Sequence, residues 1–313
     1  MVEERYSDIY FDTKEKDYYT VPKDRLDKIH YSKLALPRQY DVYPAKSVNG
    51  EESKRAFLDS LTDNQRYYGE HGYLIVRNLI PHDLCDAYLE LRQTLEMGQS
   101  QFSDSTPYIE HPEIRRIAIY KPLMDIIREL HGYEPGLIFT LTGFKSTERG
   151  WHQDAYLDRD DAIPRIATWI AVDDVDENSG PFEYIPGSHK WMALSNKKIN
   201  EFLKEDYRWP NGHRARSVGV PGWGRISEAF IDPSVYAKIE RDGAQVKHFT
   251  ARKGDVLFWY GRLMHRGSPP RLPGATRPGL IGHYSPIFER ERGVFRTDEN
   301  GCRYIVPPAK FDR

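Results

Sequence analysis

Two histidines and one carboxylate in this sequence have the residue types and the spacing of a metal site. His152 and Asp154 are two residues apart, so on a β-strand, or at its end, their side chains project to the same face. His265 follows residues 255–264, which the sequence predicts as a buried apolar strand that ends in this histidine. Such a set forms the facial triad of non-haem iron sites, which leaves other coordination positions open. The pattern His-x-Asp alone also fits a surface turn with a hydrogen-bonded pair, so the residues around it decide.

Arg277 extends this pattern because it stands at the mouth of a second apolar segment. It lies 12 residues beyond His265 and just before residues 280–284, which are apolar enough for a core strand. A buried arginine is costly without an anion, and its planar guanidinium suits a carboxylate bound through two hydrogen bonds. The order of ligand pair, distal histidine and arginine fits a 2-oxoglutarate site, with the far carboxylate of 2-oxoglutarate on Arg277. Two alternatives stay open: Arg277 as an ordinary surface arginine, and Arg271, whose proline-rich loop favours a solvated role.

Five blocks of sequence surround these residues in a fixed order within residues 137–288. They are residues 151–154, residues 169–174, residues 178–189, residues 253–258, and the pair His265 and Arg277. In these blocks the chain resembles the phytanoyl-CoA dioxygenase family of Fe(II)- and 2-oxoglutarate-dependent oxygenases, and residues 67–95 resemble the N-terminal part of that family. The resemblance covers about half of the chain. Five ordered blocks are a stronger signal than any single motif.

The resemblance implies a fold and a ligand set. The fold class it implies is mainly β with flanking helices, a double-stranded β-helix (jelly roll, cupin-like) with iron between its two sheets. His152, Asp154 and His265 match the metal ligands and catalytic centre of the family, and Arg277 matches its 2-oxoglutarate arginine. The cofactor is then Fe(II), with 2-oxoglutarate and O2 as co-substrates.

Two further residues are candidates for the co-substrate pocket. Many family members carry the distal histidine as His-Gly-Ser, with the serine hydroxyl on the co-substrate, whereas this chain has Arg266 inserted after His265. The spacing from Ser268 to Arg277 is nevertheless that of the family, so Ser268 is a candidate. Trp169 projects from a predicted central strand and is expected to form a wall of the same pocket.

The elements that position these residues divide the chain into an N-terminal extension, residues 1–50, and a single oxygenase domain, residues 51–313. Within this domain we expect a helical support, the β core, a lid-like insertion and a C-terminal tail, at residues 51–135, 136–288, 190–245 and 289–313. Periodicity predicts helices at residues 52–70, 82–97, 121–131 and 193–207, and strands at residues 137–144, 168–175 and 182–185.

Composition indicates a soluble enzyme and excludes some classes of partner. A chain of 313 residues can bury a large core, and a net charge of −2 with interspersed signs offers no basic surface for nucleic acid or an anionic membrane. Two distant cysteines outside any metal spacing indicate a reducing cytoplasm. We see no signal peptide and no run of roughly 20 apolar residues. The expected partner is a small-molecule substrate, with the protein a monomer or homodimer.

These features predict a 2-oxoglutarate-dependent dioxygenase that hydroxylates a small molecule: a secondary metabolite, an amino-acid derivative or an acyl thioester. The carboxylate of Asp154 favours hydroxylation, or a related desaturation or ring oxidation, because halogenating members of the family have a small residue there. Two other classes stay open, namely a divalent-metal hydrolase or isomerase on a cupin-like barrel and a non-catalytic binding protein of the same fold. Succinate formation distinguishes the first alternative, and iron-binding and turnover assays test the second.

Overall fold

The computed structural model describes ten parts of the chain, at residues 29–37, 42–43, 50–94, 106–142, 144, 146, 148–157, 165–206, 223–288 and 293–307. Its helices are α1 (Tyr31–Leu34), α2 (Glu51–Ser60), α3 (Asp63–His71), α4 (His82–Thr94), α5 (Pro112–Ala118), α6 (Lys121–His131), α7 (Asn196–Asp206) and α8 (Trp223–Asp242). Its strands are β1 (Tyr73–Val76), β2 (Pro135–Thr142), β3 (Ile166–Ala171), β4 (Phe182–Tyr184), β5 (Lys247–Phe249), β6 (Val256–Tyr260), β7 (His265–Gly267), β8 (Gly279–Pro286), β9 (Val294–Thr297) and β10 (Arg303–Val306).

The strands form two sheets. A seven-stranded sheet has the order β1-β6-β3-β8-β2-β10-β9, and a three-stranded sheet has the order β5-β4-β7. The central strand β3 pairs antiparallel with β6 on one side and with β8 on the other. All six residues of β3 are buried, because this strand is covered on both faces.

Each face of the large sheet packs against a different layer. Because side chains alternate along a strand, Ile166 and Ile170 of β3 pack with buried residues of the helices α3–α6. Ala167 and Trp169 point the other way and pack with residues of β4 and β5. The space between the two sheets is therefore the inner core of the domain.

The predicted helix at residues 52–70 is two helices, so this prediction was wrong. The first helix ends at Ser60 with Leu61 as its C-cap. Thr62 begins the second, because its side chain accepts a hydrogen bond from the Gln65 backbone while the Gln65 side chain accepts one from the Thr62 backbone. This reciprocal pair is a capping box, which satisfies free N–H groups at a helix start. The helix predicted at residues 121–131 coincides with α6.

The prediction of one apolar strand over residues 255–264 that ends in His265 was also wrong. β6 ends at Tyr260, the chain turns through a hydrogen bond from Leu263 N to Tyr260 O, and His265 begins β7 in the other sheet. Gly261 fits the turn because a Cβ there would lie 2.9 Å from the backbone oxygen of Arg165. The turn moves His265 from the large sheet to the small one.

The insertion at residues 190–245 contains α7, as predicted, and also the 20-residue helix α8, which sequence periodicity missed. Pro233 lies inside α8, and an internal proline normally argues against a helix. Phe230, Ile231 and Val235 of α8 are fully buried in a hydrophobic cluster that also takes in Leu34 of α1. The lid itself stays a prediction, and residues 207–222 of the insertion lie outside the described part.

Part of the predicted N-terminal extension, residues 1–50, packs against the insertion. Of the N-terminal extension, α1 lies against α7 and α8, with a β-bridge between Ala35 and Leu194. Within the described residues, no helix has the length and apolar character needed to span a bilayer.

Candidate metal centre

His152 and His265 face each other across a single β-bridge. The backbone N–H of each donates to the backbone oxygen of the other, both at 3.0 Å. This pairing adds the segment of His152 to the edge strand β7 of the small sheet. It brings the two imidazole rings to a centroid distance of 4.2 Å, with both side chains buried.

The orientation of both imidazoles is set by backbone carbonyl groups. Nδ1–H of His152 donates to the carbonyl oxygen of Gly150 at 2.8 Å, and Nδ1–H of His265 donates to that of Leu263 at 2.9 Å. A carbonyl oxygen can only accept, so both rings carry their proton on Nδ1 and keep the lone pair of Nε2. Metal-binding histidines are typically oriented by such a bond from the other ring nitrogen.

Asp154 completes the group. Its Oδ1 atom lies 3.6 Å from Nε2 of His152 and 3.6 Å from Nε2 of His265. Its Oδ2 atom accepts a hydrogen bond of 3.0 Å from Nε1–H of Trp259 on β6. The ligand atoms of the three residues all lie within 4.8 Å of one another, so one metal ion can contact all three. The two side chains project from the end of an extended segment rather than from within a strand, because His152 lies in a β-bridge and Asp154 begins a short 3-10 helix.

The electrostatics of the group favour a cation. Burial lowers the pKa of His152 and of His265, so both imidazoles are neutral at neutral pH. Burial alone would raise the pKa of Asp154, but its electrostatic interactions with His265, His283, His152 and the Arg149 guanidinium outweigh burial and hold the pKa below its ordinary value. Two neutral imidazoles and one carboxylate are the protonation states that a divalent metal requires.

Arg277 is a buried cation, and two nitrogen atoms of its guanidinium lack a hydrogen-bond partner within the described residues. It precedes β8, its backbone N–H donates to the oxygen of Phe144, and only 2% of its surface is exposed. Within the described residues, its Nε and Nη1 atoms have no hydrogen-bond partner. Burial lowers its pKa to about 10, so it is still protonated at neutral pH. Buried donors without partners are rare, and a planar guanidinium of this kind is suited to a carboxylate.

The two other residues weighed for the carboxylate are placed differently. Arg271 is solvent-exposed and pairs with Glu177 at 2.9 Å, as its loop position predicted. The hydroxyl of Ser268 is buried and donates to the carbonyl oxygen of Pro181 at 2.7 Å. A carboxylate needs a donor, so Ser268 would have to exchange this bond before it could bind one. Its part in co-substrate binding stays a prediction.

Trp169 and His283 both lie on the inner face of the large sheet; the part of Trp169 in the co-substrate pocket stays a prediction. Trp169 is buried, its ring covers Gly279 two residues beyond Arg277, and within the described chain its Nε1 has no hydrogen-bond partner. His283 lies further along the same inner face of β8 and stacks on Phe139 at a centroid distance of 4.2 Å. Burial lowers the pKa of His283 to about 4. The stack depends on the register of β2 against β8, which pairs Phe139 with His283.

Sequence reasoning missed the contacts that the insertion makes with this site. Glu228 of α8 is buried and pairs with Arg149, with Nε of Arg149 at 3.1 Å from its carboxylate. Asp232, one turn further, accepts a hydrogen bond of 2.6 Å from the backbone N–H of Trp151. Because α8 was missed, no sequence signal linked these acids to the site.

Three other residues near the motifs make contacts within the fold. Gln153 is buried, and its side-chain oxygen accepts from the backbone of Leu194. His189 hydrogen-bonds the carbonyl oxygen of Gly69 and so fixes a loop. Asp174 is half-exposed and pairs with Arg252.

The chain is similar to known proteins of one family. The family model described as "Phytanoyl-CoA dioxygenase" matches residues 123–277. A Caenorhabditis elegans protein named "Probable phytanoyl-CoA dioxygenase" is 19% identical over an alignment 278 residues long that covers 78% of this chain and 77% of the relative.

Solved structures of EctD from S. alaskensis are also similar. One, with 2-oxoglutarate and 5-hydroxyectoine, is 17% identical, covers 82% of this chain and 84% of its own, and has a TM-score of 0.54. Another, with bound Fe, is 16% identical, covers 83% and 84%, and has a TM-score of 0.51. At these identities the similarity concerns the fold. It confirms the predicted fold class, a double-stranded β-helix with flanking helices.

Proposed function

Since this chain belongs to the phytanoyl-CoA dioxygenase family, whose model its residues 123–277 match, we propose that it is an Fe(II)- and 2-oxoglutarate-dependent oxygenase. In this proposal it hydroxylates an unactivated C–H bond of a small molecule and releases succinate and CO2. Bound iron and 2-oxoglutarate supply the O2 chemistry. The residues of the chain hold these groups, orient them and exclude water.

The metal is assigned to His152, Asp154 and His265. Their donor set is that of a non-haem Fe(II) site with open positions, and their Nε2 and carboxylate atoms converge. The backbone carbonyl groups that accept from Nδ1 keep each imidazole in the binding tautomer. Nε1–H of Trp259 holds the second oxygen of Asp154, which favours binding through the first oxygen alone.

The buried guanidinium of Arg277 is the observation that carries the proposal. A zinc-type hydrolase or isomerase could use the same three ligands, but its reaction needs no co-substrate for this cation to hold. A dicarboxylate that reaches from the metal to Arg277 satisfies the Nε and Nη1 donors that lack partners within the described residues.

The substrate class is an extension of the same proposal. Phe139, Leu141 and Ile281 are only partly buried although they lie on the inner strands β2 and β8, so they offer apolar surface to a guest molecule. The carboxylate of Asp154 occupies a metal position that a halide would otherwise take, which supports hydroxylation. The candidate substrates are a secondary metabolite, an amino-acid derivative or an acyl thioester. We propose further that the enzyme is a monomer or homodimer and that it is located in the cytoplasm.

The test is substrate-stimulated succinate formation. Purified protein is incubated with Fe(II), 2-oxoglutarate and O2 across a panel drawn from the three substrate classes. We expect at least one class to stimulate succinate release, and we expect His265→Ala to abolish it while Arg271→Ala, a matched surface arginine, retains it. Turnover of a panel compound that needs the metal but neither O2 nor 2-oxoglutarate would replace the proposal with the hydrolase or isomerase alternative.

A further inference from the structure

One face of helix α8 is directed at both segments that carry the metal-binding histidines. Glu228, Asp232 and Tyr236 are spaced four residues apart, so they lie on the same side of the helix. Glu228 and Asp232 contact the segment before His152, and Tyr236 contacts the residue after His265. The helix belongs to the insertion and contributes none of the three ligands.

Asp232 acts on a single peptide group. Its Oδ1 accepts from the backbone N–H of Trp151 at 2.6 Å. The carbonyl of that same peptide belongs to Gly150, and its oxygen accepts from Nδ1–H of His152 at 2.8 Å. The two hydrogen bonds leave opposite ends of one planar unit, so the carboxylate fixes the plane that orients the imidazole. Hydrogen bonds in such a chain also polarise one another.

Gly150 makes this approach possible. A Cβ at position 150 would lie 3.1 Å from the carboxylate carbon of Asp232, which is tighter than an ordinary contact. The carboxylate therefore sits directly against the peptide rather than near it. Asp232 is also within electrostatic range of Arg266 and Glu228, and these three charged groups belong to the same contact between helix and ligand segments.

Glu228 pairs with the Arg149 cation beside the three metal-binding residues. The guanidinium of Arg149 is close enough to influence His152, Asp154 and His265 electrostatically. An isolated cation there would oppose a divalent metal. Glu228 is 4% exposed and pairs with this guanidinium through several contacts, so the cation is neutralised.

Tyr236 connects the same helix to the second ligand segment. Its hydroxyl accepts from the guanidinium of Arg266, the residue after His265, and Arg266 also pairs with Glu183 on β4. The Arg266 guanidinium lies 5.0 Å from the ring centre of Trp151. Arg266, the residue inserted into the His-Gly-Ser pattern, lies on β7. Its side chain thus connects this strand to the helix and to Trp151, the residue next to His152.

We propose that helix α8 positions the metal centre: Asp232 orients His152 through the Gly150–Trp151 peptide, and Glu228 neutralises the Arg149 cation beside the three ligands. Asp232 and Glu228 are positioning residues, since neither touches the metal. This inference rests on the proposed function only for the assignment of the metal ligands. It extends that function by making part of the insertion a support of the metal site.

The experiment measures metal binding without turnover. Metal-free protein is titrated with Co(II), whose visible absorption bands report both affinity and ligand geometry. Loss of a partner that orients a metal ligand typically weakens binding about 10- to 100-fold, and we expect this for Asp232→Ala, with altered Co(II) bands. Asp232→Asn keeps an oxygen that can accept from Trp151, so its affinity should stay within about threefold of wild type. Asp242→Ala, on the same helix but paired only with Lys238 and Arg241 in the described contacts, is the control and should not change binding.

Glu228 gives a second test that does not depend on the folding of Asp232→Ala. Glu228→Gln preserves shape and leaves the Arg149 cation uncompensated, so we expect at least tenfold weaker Co(II) binding with unchanged circular dichroism. Adding Arg149→Gln removes that cation, and the double variant should recover most of the affinity, since the two residues act as a pair.

The outcomes separate this inference from the proposed function. Wild-type affinity and wild-type Co(II) bands in both Asp232→Ala and Glu228→Gln would overturn the positioning role and leave the oxygenase proposal intact. Equal loss in Asp232→Ala and Asp232→Asn would also overturn the relay through the peptide. If His265→Ala bound Co(II) as well as wild type, the ligand assignment itself would fail. Absence of succinate formation with intact metal binding would count against the oxygenase alone.

Discussion

Replacing Arg277 by methionine should stabilise the protein in the absence of 2-oxoglutarate while removing its ability to bind this co-substrate. The two side chains have similar lengths, but methionine carries no charge. In the described structure the guanidinium is 2% exposed and its Nε and Nη1 atoms lack partners. The site therefore carries a buried charge whose partner is the expected ligand.

The magnitude follows from the pKa. Burial lowers the pKa of Arg277 to about 10, and at about 1.4 kcal/mol for each pH unit the charged form is penalised by about 3 kcal/mol. Arg277→Met removes this penalty, and for a domain of this size such a change raises the melting temperature by roughly 5 °C. Replacement of buried charges by apolar residues of similar volume is often stabilising by a comparable amount.

The assay is thermal unfolding of the metal-loaded protein with and without 2-oxoglutarate, in the absence of O2. Wild type should gain about 2.7 kcal/mol at a ligand concentration 100 times the Kd, whereas Arg277→Met should gain nothing. Arg271→Met, a surface control, should follow wild type in both measurements. A variant that melts lower than wild type without 2-oxoglutarate, yet is still stabilised by it, would refute the assignment of Arg277 as the carboxylate-binding residue.

Further predictions concern the ligands, the helix and the serine. His152→Ala should abolish the visible absorption band of the Fe(II)–2-oxoglutarate chelate measured without oxygen. Asp154→Gly should lose hydroxylation, measured as product per succinate, and wild-type levels would mean that it is not a ligand. Burial raises the pKa of the Asp232 carboxyl to about 6, so the folded state binds the carboxyl proton more tightly than the unfolded state does. The contribution of Asp232 to the free energy of unfolding therefore falls as pH rises from about 4 through 6. The free energy of unfolding of Asp232→Asn should therefore rise relative to that of wild type as pH increases over that range. Ser268→Ala should change the KM for 2-oxoglutarate little, because its hydroxyl donates to Pro181.

The sequence predicted those parts of the site that depend on local pattern. His152 and Asp154 are close in the chain, and strongly apolar segments such as β3 and β8 are recognisable by composition. Arg277 was accessible because it lies beside such a segment, and the pair of His152 and Asp154 was accessible because the two residues are only two positions apart.

The features that the sequence did not predict depend on contacts between residues that are distant in the chain. Helix α8 was missed because Pro233 interrupts its pattern, although burial of Phe230 and Val235 stabilises it. The hydrogen bond from Trp151 to Asp232 joins residues 81 positions apart. No local propensity encodes such a pair, since it exists only once the helix has packed against the loop.

The stack of His283 on Phe139 was missed for a related reason. It requires the register that pairs these two residues across β2 and β8, and that register shifts between Leu137 and Phe139. A shift of one residue would turn the side chains to the opposite face. Register is set by the whole sheet, so the composition of either strand alone cannot place the ring.

The charges around the site explain why a buried arginine without a described protein partner is tolerated. Arg149 and Glu228 neutralise each other, which leaves Asp154 with one negative charge and Arg277 with one positive charge. A divalent metal beside Asp154 alone leaves an excess of positive charge in a buried space, and a dianionic 2-oxoglutarate beside Arg277 alone leaves an excess of negative charge. Since charges in such surroundings are weakly screened, each ligand should strengthen binding of the other. The net charge of these groups is zero in the empty site and zero again when both ligands are present, whereas either ligand alone leaves two uncompensated charges. The buried guanidinium, whose Nε and Nη1 atoms lack partners within the described residues, therefore favours binding of the complete pair.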